Sequence, residues 1–228
     1  LDEDGFLPDA LRNYLVRLGW SLGDQEVISL EEMVAAFSLD GCGTAAAVFD
    51  REKLTWLSGH YMRHRDPLLL ANEWARHLAL PERGAKRIEV AADAHLVRIV
   101  KSLQDRAKTL TEMTELGRFF LCADEDVVLP AADAKDAKKW LGADGLAALH
   151  ELVAVLDAIE PFETAEIHAV LTRLAESREG KMARVAQPAR IAVSGGTVSP
   201  PIDETLAILG RESVRRRLAR ALAHFATA

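Results

Sequence analysis

Signals that start and end helices recur along this 228-residue chain, and they constrain its fold more than any other feature. Pro8 suits the first turn of a helix, Ser29 opens a capping box, and Asp50 is a third candidate N-cap. Apolar residues follow each signal at helical spacing. Residues 127–129 and 190–193 have extended character, and both segments are too short to build a sheet. The sequence therefore predicts an all-α fold.

Proline, glycine and capping residues bound the predicted helices. They cover residues 7–18, 29–37, 50–62, 67–80, 93–103, 109–117, 145–159, 164–179, 203–209 and 212–225. The segment after Pro130, rich in alanine, aspartate and lysine, is predicted to be a hinge. The two cysteines are predicted to be reduced and buried. Four tryptophans at apolar helical positions are predicted to anchor the core: Trp20, Trp56, Trp74 and Trp140.

The charge of the chain gives two opposite indications. The net charge is -7, which argues against a nucleic-acid partner because phosphate contacts need lysine and arginine. Residues 83–118, however, carry eight Lys or Arg and five Asp or Glu, a local charge of +3. A basic face on an acidic body can bind RNA, and a solvated helix surface explains the same charges equally well.

The sequence favours a cytoplasmic protein without a membrane partner. No apolar run reaches the roughly 18 residues that a membrane helix needs. A secretory signal, with a basic start and a short apolar core, is not evident either.

Four blocks of sequence carry more specific information. Residues 5–21 read Gly-Phe-Leu-Pro-Asp-Ala-Leu-Arg-Asn-Tyr-Leu-Val-Arg-Leu-Gly-Trp-Ser. The further blocks are 48–61, with Lys-Leu-x-Trp at its centre, 106–110, and 181–196, which Ser-Pro and Ile-Leu-Gly-Arg-Glu elements follow at 199 and 208. In this order they resemble motifs of bacterial glutamyl-tRNA synthetases, the first being G-[FY]-L-P-x-A-L-x-N-Y-L-x-x-L-G-W-S. The departures are single residues: Ser58 for a frequent Asn, Ala183 for Gly and Ala189 for Leu.

This resemblance implies a helical cage with a stem-contact subdomain and two anticodon-binding subdomains, expected at 1–70, 71–130 and 131–228. The family activates glutamate with ATP on a domain whose two ATP signatures lie upstream of the first block, and neither signature is in this chain. We therefore expect ATP and magnesium for a missing N-terminal catalytic domain, and no cofactor for these residues. A start at Leu1 instead of methionine agrees with missing N-terminal sequence. The chain should be inactive in aminoacylation alone.

The resemblance also implies the partners: the glutamate tRNA and the chain's own catalytic domain, without DNA. A different class of function stays open, because the same apolar core suits a helical scaffold for protein interactions, or a relic that no longer binds tRNA.

Arg106 is the residue most expected to select RNA. A guanidinium presents a rigid fork of donors, and unstacked bases can be read at their hydrogen-bonding edges. In synthetases that charge only the glutamate tRNA, the resemblance implies that an arginine here reads the third anticodon base, cytosine instead of guanine. The structural alternative is that Arg106 pairs with Asp105 or Glu112 on a helix surface.

A second group near the C-terminus matches positions that pack the anticodon loop. The resemblance implies that Arg190 contacts phosphate or base, with Ser199, Pro200 and Ile202 as a backbone and apolar platform. A tight turn that closes the last subdomain explains the same Gly-Gly and Pro-Pro pairs.

Other basic residues have two interpretations each. Lys101 and Lys108 are candidate phosphate contacts or part of a solvated face. Arg12 and Arg17 flank the opening helix and are candidate contacts to the tRNA stem. The densest basic run, at 211–220, is either an RNA contact or a surface helix with cations in its last turns.

No metal site is predicted. His60 and His64 have the four-residue spacing that can bind a metal on a helix, but no Asp, Glu or Cys is placed to complete the ligand set.

Overall fold

The computed structural model describes residues 4–43, 48–81 and 87–226. Every regular element in those ranges is helical and none is a strand, which confirms the all-α prediction. Arg83 and Lys86, counted in the basic stretch, lie outside the described residues. The helices are α1 (Pro8–Gly19), α2 (Leu30–Ala36), α3 (Arg51–His64), α4 (Pro67–Leu78), α5 (Ala94–Leu103), α6 (Leu110–Leu121), α7 (Lys135–Trp140), α8 (Ala143–Leu156), α9 (Thr164–Glu176), α10 (Ala183–Ser194), α11 (Ile202–Leu209) and α12 (Arg211–Ala226).

Backbone contacts divide the chain into two compact units, Leu1–Glu115 and Leu116–Ala228. We call them the first unit and the second unit. The dividing point falls inside α6. The three subdomains expected from the resemblance, at 1–70, 71–130 and 131–228, are defined by their roles in tRNA binding. They remain a prediction.

The first unit is organised around a buried amide on α1. Asn13 is fully buried, and its Nδ2 donates to the carbonyl of Glu26 at 3.1 Å. Its Oδ1 accepts from the Ile28 backbone N–H and from the Tyr61 hydroxyl, both at 2.8 Å. One side chain thus joins α1, the segment before α2, and α3, and every polar atom that it buries is satisfied.

The first unit has a second apolar centre where α4 packs against α5. Trp74 is fully buried there, and its indole Nε1 donates to the Thr114 hydroxyl at 3.0 Å. Leu70, Leu78 and Ile99 are also fully buried. A tryptophan in a core is stable when its N–H has a partner, so this contact accounts for the central position of Trp74.

In the second unit, α8, α9 and α12 surround α10, and the expectation of extended structure at 190–193 is wrong. Those residues form the last full turn of α10. The error has a physical cause: Ile191, Ala192 and Val193 are all fully buried. A helix that is apolar on every side reads as a continuous apolar run, which periodicity cannot distinguish from a buried strand.

Four smaller expectations are also corrected. α6 continues past Gly117 to Leu121, because Phe119 and Phe120 beyond the glycine are buried. The segment after Pro130 contains α7. Trp56 is 49% exposed and therefore no core anchor, whereas Trp20 and Trp74 are buried. Both cysteines are free, but neither is fully buried, and the first of them is exposed.

Candidate nucleic-acid interface

The turn that carries Arg106 is fixed to the end of α3. We call residues 104–109, which join α5 to α6, the α5–α6 turn. Gln104 is buried, and its Nε2 donates to the carbonyls of Met62 at 2.9 Å and Arg65 at 2.7 Å, with a longer contact to Arg63 at 3.3 Å. These carbonyls lie at the C-terminus of α3, where a helix cannot satisfy all of its acceptors, and the Met62 carbonyl also accepts from the Arg65 N–H at 3.3 Å. One amide therefore caps α3 and positions the turn.

A second bond fixes the other end of the turn. Ser58 on α3 is fully buried, and its hydroxyl donates to the Lys108 carbonyl at 2.6 Å. Ser58 is one of the departures from the family motif, and here a hydroxyl makes the bond. Thr109 and Glu112 then start α6: the Thr109 hydroxyl accepts from the Glu112 N–H at 3.1 Å, and Glu112 Oε2 accepts from the Lys108 N–H at 2.7 Å.

Arg106 lies exposed on this anchored turn. Its backbone N–H donates to the Leu103 carbonyl at 2.8 Å, so its main chain is part of the turn. Within ranges 4–43, 48–81 and 87–226, its side chain makes no ion pair with Asp105 or Glu112. The structural alternative to base reading is thus not observed. Lys101 and Lys108 are exposed as well.

Arg190 and Ser199 are brought together in the second unit. Arg190 Nε lies 2.8 Å from the Ser199 Oγ, and that hydroxyl also lies 2.8 Å from the carbonyl of Pro200. Pro200 is buried and Ile202 is only 5% exposed, so both side chains pack in the interior of the second unit. The guanidinium and the hydroxyl are the half-buried members of the group.

A glycine gives this segment its direction. Gly195 ends α10 with φ of 79°, a left-handed conformation that favours glycine. A Cβ at this position would lie 2.2 Å from the carbonyl oxygen of Val128. Gly195 is therefore required both for the turn and for the close approach of the chain near Val128.

The two candidate stem contacts have partners in the first unit. Arg12 pairs with Asp9. Arg17 donates to the carbonyl of Gln25 and pairs with Glu26 at 3.1 Å, and its side chain is 18% exposed. Both guanidiniums thus contribute to folding, and their contact with tRNA remains a prediction.

Sequence reasoning missed a buried ion cluster in the second unit. Arg217 is 2% exposed, and its Nε lies 2.6 Å from Asp124 Oδ1. Its Nη1 donates to the carbonyls of Phe119 at 2.9 Å and Val193 at 2.8 Å. The side chain therefore joins the end of α6, the end of α10 and α12. We call the group the Asp124 cluster: Asp124, Ser213, Arg216, Arg217 and Arg220.

The other members of the Asp124 cluster also bind the short segment 124–127. Arg216 Nε lies 2.6 Å from Asp124 Oδ2, Ser213 donates to Oδ1, and Arg220 donates to the carbonyls of Asp124 and Val127. Burial raises the pKa of Asp124, but the hydrogen bonds from Ser213, Arg217 and Arg216 outweigh it and leave the pKa below its ordinary value. The carboxylate is thus held in its charged form.

The basic run at 211–220 therefore has a mainly internal role. Arg211 donates to the carbonyls of Leu156 at 2.7 Å and Asp157 at 3.0 Å. Arg215 is exposed, and its guanidinium has no partner among the described residues. The surface-helix interpretation holds for Arg215 and fails for the buried Arg217.

The described residues offer no ligand set for magnesium or another cation. They contain no group of three or more His, Cys, Asp or Glu side chains that could hold an ion. His60 and His64 stack on each other, with ring centroids 4.2 Å apart. In the described part of the chain, no helix is long and apolar enough to cross a membrane.

Two family models match the sequence of this chain. The sequence model of the anticodon binding domain family matches residues 69–222. The model named tRNA synthetases class I (E and Q), catalytic domain, matches residues 1–56, which lie within the stretch expected to contact the tRNA stem. The first match includes the α5–α6 turn, the Arg190 group and nearly all of the second unit.

The curated relatives that the chain resembles are glutamate–tRNA ligases. The chain is 42% identical over 220 residues to glutamate–tRNA ligase 1 of Alkalilimnicola ehrlichii, covering 96% of this chain and 45% of that protein. It is 43% identical over 222 residues to glutamate–tRNA ligase 1 of Acidithiobacillus ferrooxidans, covering 97% of this chain and 46% of that protein. The chain thus spans less than half the length of these relatives.

A solved structure has the same fold. The crystal structure of a glutamate tRNA ligase from Elizabethkingia meningosepticum, in complex with its amino acid, matches with a TM-score of 0.80 at 24% identity, over 97% of this chain and 42% of that one. Because the family model matches residues 69–222, more than half of the chain, the chain belongs to the anticodon binding domain family, and the two curated relatives it resembles are glutamate–tRNA ligases.

Proposed function

We propose that this chain binds the anticodon arm of the glutamate tRNA, as the RNA-recognising part of a cytoplasmic glutamate–tRNA ligase. The observation that carries the proposal is the position of Arg106 on an anchored turn inside the family match, where its side chain is exposed and has no acidic partner among the described residues. The alternative, a scaffold for protein interactions, has no observation in its favour.

Hydrogen-bonding chemistry explains how Arg106 would select a base. A guanidinium has five donors and no acceptor. The Watson–Crick edge of cytosine offers two adjacent acceptors, O2 and N3, whereas the same edge of guanine presents two N–H groups that would face the donors of the arginine. Selection then comes from attraction to one base and unpaired donors against the other. Glutamate and glutamine anticodons differ in this way at their third base.

Positioning of the turn is essential for that selection. An arginine on a mobile loop can rotate to find the O6 and N7 acceptors of guanine, so a fixed main chain favours a single mode of reading. Gln104 and Ser58 supply that restraint through their bonds to the carbonyls of α3 and Lys108.

Each unit offers further proposed contacts of its own. In the second unit, the bond from Arg190 to Ser199 fixes a half-buried guanidinium for phosphate or base, above the buried Pro200 and Ile202. Lys101 and Lys108 would neutralise phosphates. Arg12 and Arg17 would contact the tRNA stem through donors that their acidic partners leave free.

Glutamate activation with ATP and magnesium is proposed for the catalytic domain of the parent protein. The catalytic domain would thus be the protein partner of this chain. The role proposed for the residues of this chain is to bind and orient the tRNA.

Arg106→Gln tests the proposal. Affinity is measured for two glutamate tRNAs that differ only in the third anticodon base, C or G, with Arg76→Gln as a control of equal charge change. We expect the wild type to prefer C by about tenfold or more, since one good bidentate contact discriminates by about 1–3 kcal/mol. Arg106→Gln should lose most of this preference.

The stability of Arg106→Gln should change by less than about 0.5 kcal/mol, because its exposed side chain has no partner among the described residues to lose. A wild-type preference that survives in Arg106→Gln would show that another residue reads the base. No tRNA binding by the wild type at low salt would contradict the proposed function itself.

A further inference from the structure

The stem of Lys108 and the guanidinium of Arg63 both lie against Gly59, where the α5–α6 turn packs on α3. A Cβ on Gly59 would lie 3.1 Å from Lys108 Cγ and 3.4 Å from Arg63 Nη1. Gly59 is buried, and Arg63 follows it by one helical turn. The absence of a side chain at Gly59 therefore lets the stem of Lys108 lie against the helix beside the Arg63 guanidinium.

Neither cation has an acidic partner in the described part of the chain. Arg63 and Lys108 form no ion pair there, whereas Arg65 pairs with Asp9 at 2.7 Å and also with Glu73. The nearby carboxylate of Glu112 accepts the backbone N–H of Lys108 and starts α6, rather than pairing with the Lys108 ammonium. Like charges on neighbouring side chains repel each other, and a bound anion offsets that repulsion.

The surrounding surface adds to the positive field. His64 lies in the same last turn of α3, exposed, and its ring stacks on His60. Burial lowers the pKa of His60, and its Coulombic interactions with His64 and Arg63 lower the pKa further. Arg106 is two residues from Lys108 on the same turn. The cations of this surface thus come from α3 and from the turn together.

We propose that Arg63 and Lys108 bind one phosphodiester group of the RNA strand whose base Arg106 reads. This inference rests on the proposed function and extends it to Arg63. The phosphate would fix the backbone of the strand at the α3 side of the turn, so that its base meets Arg106 in one orientation. Arg and Lys suit this task, since a fork and a point charge can share one phosphate.

A structural explanation competes with this proposal and can be tested. Cations in the last turn of a helix are stabilised by the partial negative charge of its C-terminus. Arg76 offers a matched control, because it lies in the last turn of α4 and in the same unit, but shares its surface with Glu73. If Arg63 serves the helix end, Arg63→Gln and Arg76→Gln should behave alike.

The experiment measures the affinity of the 228-residue chain for the glutamate tRNA over a range of salt concentrations. The variants are Arg63→Gln, Lys108→Gln, the double variant and Arg76→Gln. Each of the first two should weaken binding by about fivefold and reduce the slope of log affinity against log salt by about 1, as expected for the loss of one phosphate contact. The double variant should lose less than the product of the two, because both bind one phosphate.

Three outcomes would overturn the inference while leaving the proposed function intact. The first is unchanged affinity and slope in Arg63→Gln when Arg106→Gln loses base selection. The second is an equal loss in Arg76→Gln, which would indicate a general effect of charge. The third is a lower melting temperature in Arg63→Gln with unchanged binding, which would assign it to the helix end. A wild type that binds no tRNA at low salt would overturn both proposals.

Discussion

The α5–α6 turn and the Asp124 cluster use arginine in opposite ways. On the turn, the guanidinium of Arg106 is exposed and neutral groups, Gln104 and Ser58, hold the main chain. In the Asp124 cluster, Arg217 is 2% exposed and is itself the structural bond. The denser basic run is therefore the less available for RNA. Local density of positive charge does not by itself identify a nucleic-acid surface, because Arg217 and Arg211 in the dense run have internal partners.

The largest test of this comparison removes the buried cation. Arg217→Met should lower the free energy of unfolding by about 3–5 kcal/mol, because Asp124 loses its buried partner and the carbonyls of Phe119 and Val193 lose a donor. Urea denaturation measures the effect. Arg215→Met, exposed on the same helix, serves as the control and should cost less than about 0.5 kcal/mol. Equal effects in the two variants would erase the distinction between buried and exposed arginines.

A smaller effect is expected when the neutral anchor of the turn is removed. Gln104→Met should cost about 2 kcal/mol, because the carbonyls of Met62 and Arg65 lose a buried donor. It should also reduce the preference for C over G, as Arg106→Gln does, although Arg106 itself is unchanged. Urea denaturation and tRNA affinity are measured together. The control is Gln25→Met, an exposed glutamine, and full base selection in Gln104→Met would refute the positioning role.

The smallest expected effect is the dependence of stability on pH. The pKa of Asp124 is lowered in the folded protein, so its charge stabilises the fold above about pH 4 and this contribution is lost as pH falls through the folded value. The difference in unfolding free energy between wild type and Asp124→Asn should therefore shrink in acid. Denaturation curves from pH 7 to pH 3 measure it, and a constant difference would contradict the charged cluster.

Local features were predictable from sequence because their chemistry is local. Ser29 and Asp50 cap helices as predicted, and each side chain accepts from a backbone N–H three residues later. Cap recognition needs only that short spacing. A cap or proline marked the starts of α1, α2 and α3, whereas Gly117 failed to mark the end of α6.

The Asp124 cluster was not predictable in this way. Arg217 and Asp124 are 93 residues apart in the chain, and no local pattern relates them. The density of the arginine run therefore does not reveal that Arg217 has a buried partner. The prediction of extended structure at the end of α10 was wrong for a related reason. Residues 191–193 are apolar and buried, so their neighbours, and not their own sequence, distinguish helix from strand.

The candidate site was predictable only in part. Residues 106–110 resemble a family motif, which points to Arg106. Only the fold shows that its side chain is exposed and has no acidic partner among the described residues. The roles of Gln104 and Ser58 depend on where α3 ends relative to the turn. Arg63 carried no signal in the sequence at all, because its neighbour Lys108 is 45 positions away and meets it only across Gly59.

The amide of Ile28 reports on the state of the first unit. It lies outside any helix, yet its N–H is held at 2.8 Å by the buried oxygen of Asn13. Hydrogen exchange with solvent at this amide requires α1 to separate from the segment before α2, whereas amides at helix ends exchange by fraying. Ile28 is thus a natural probe that distinguishes loss of packing from loss of helix.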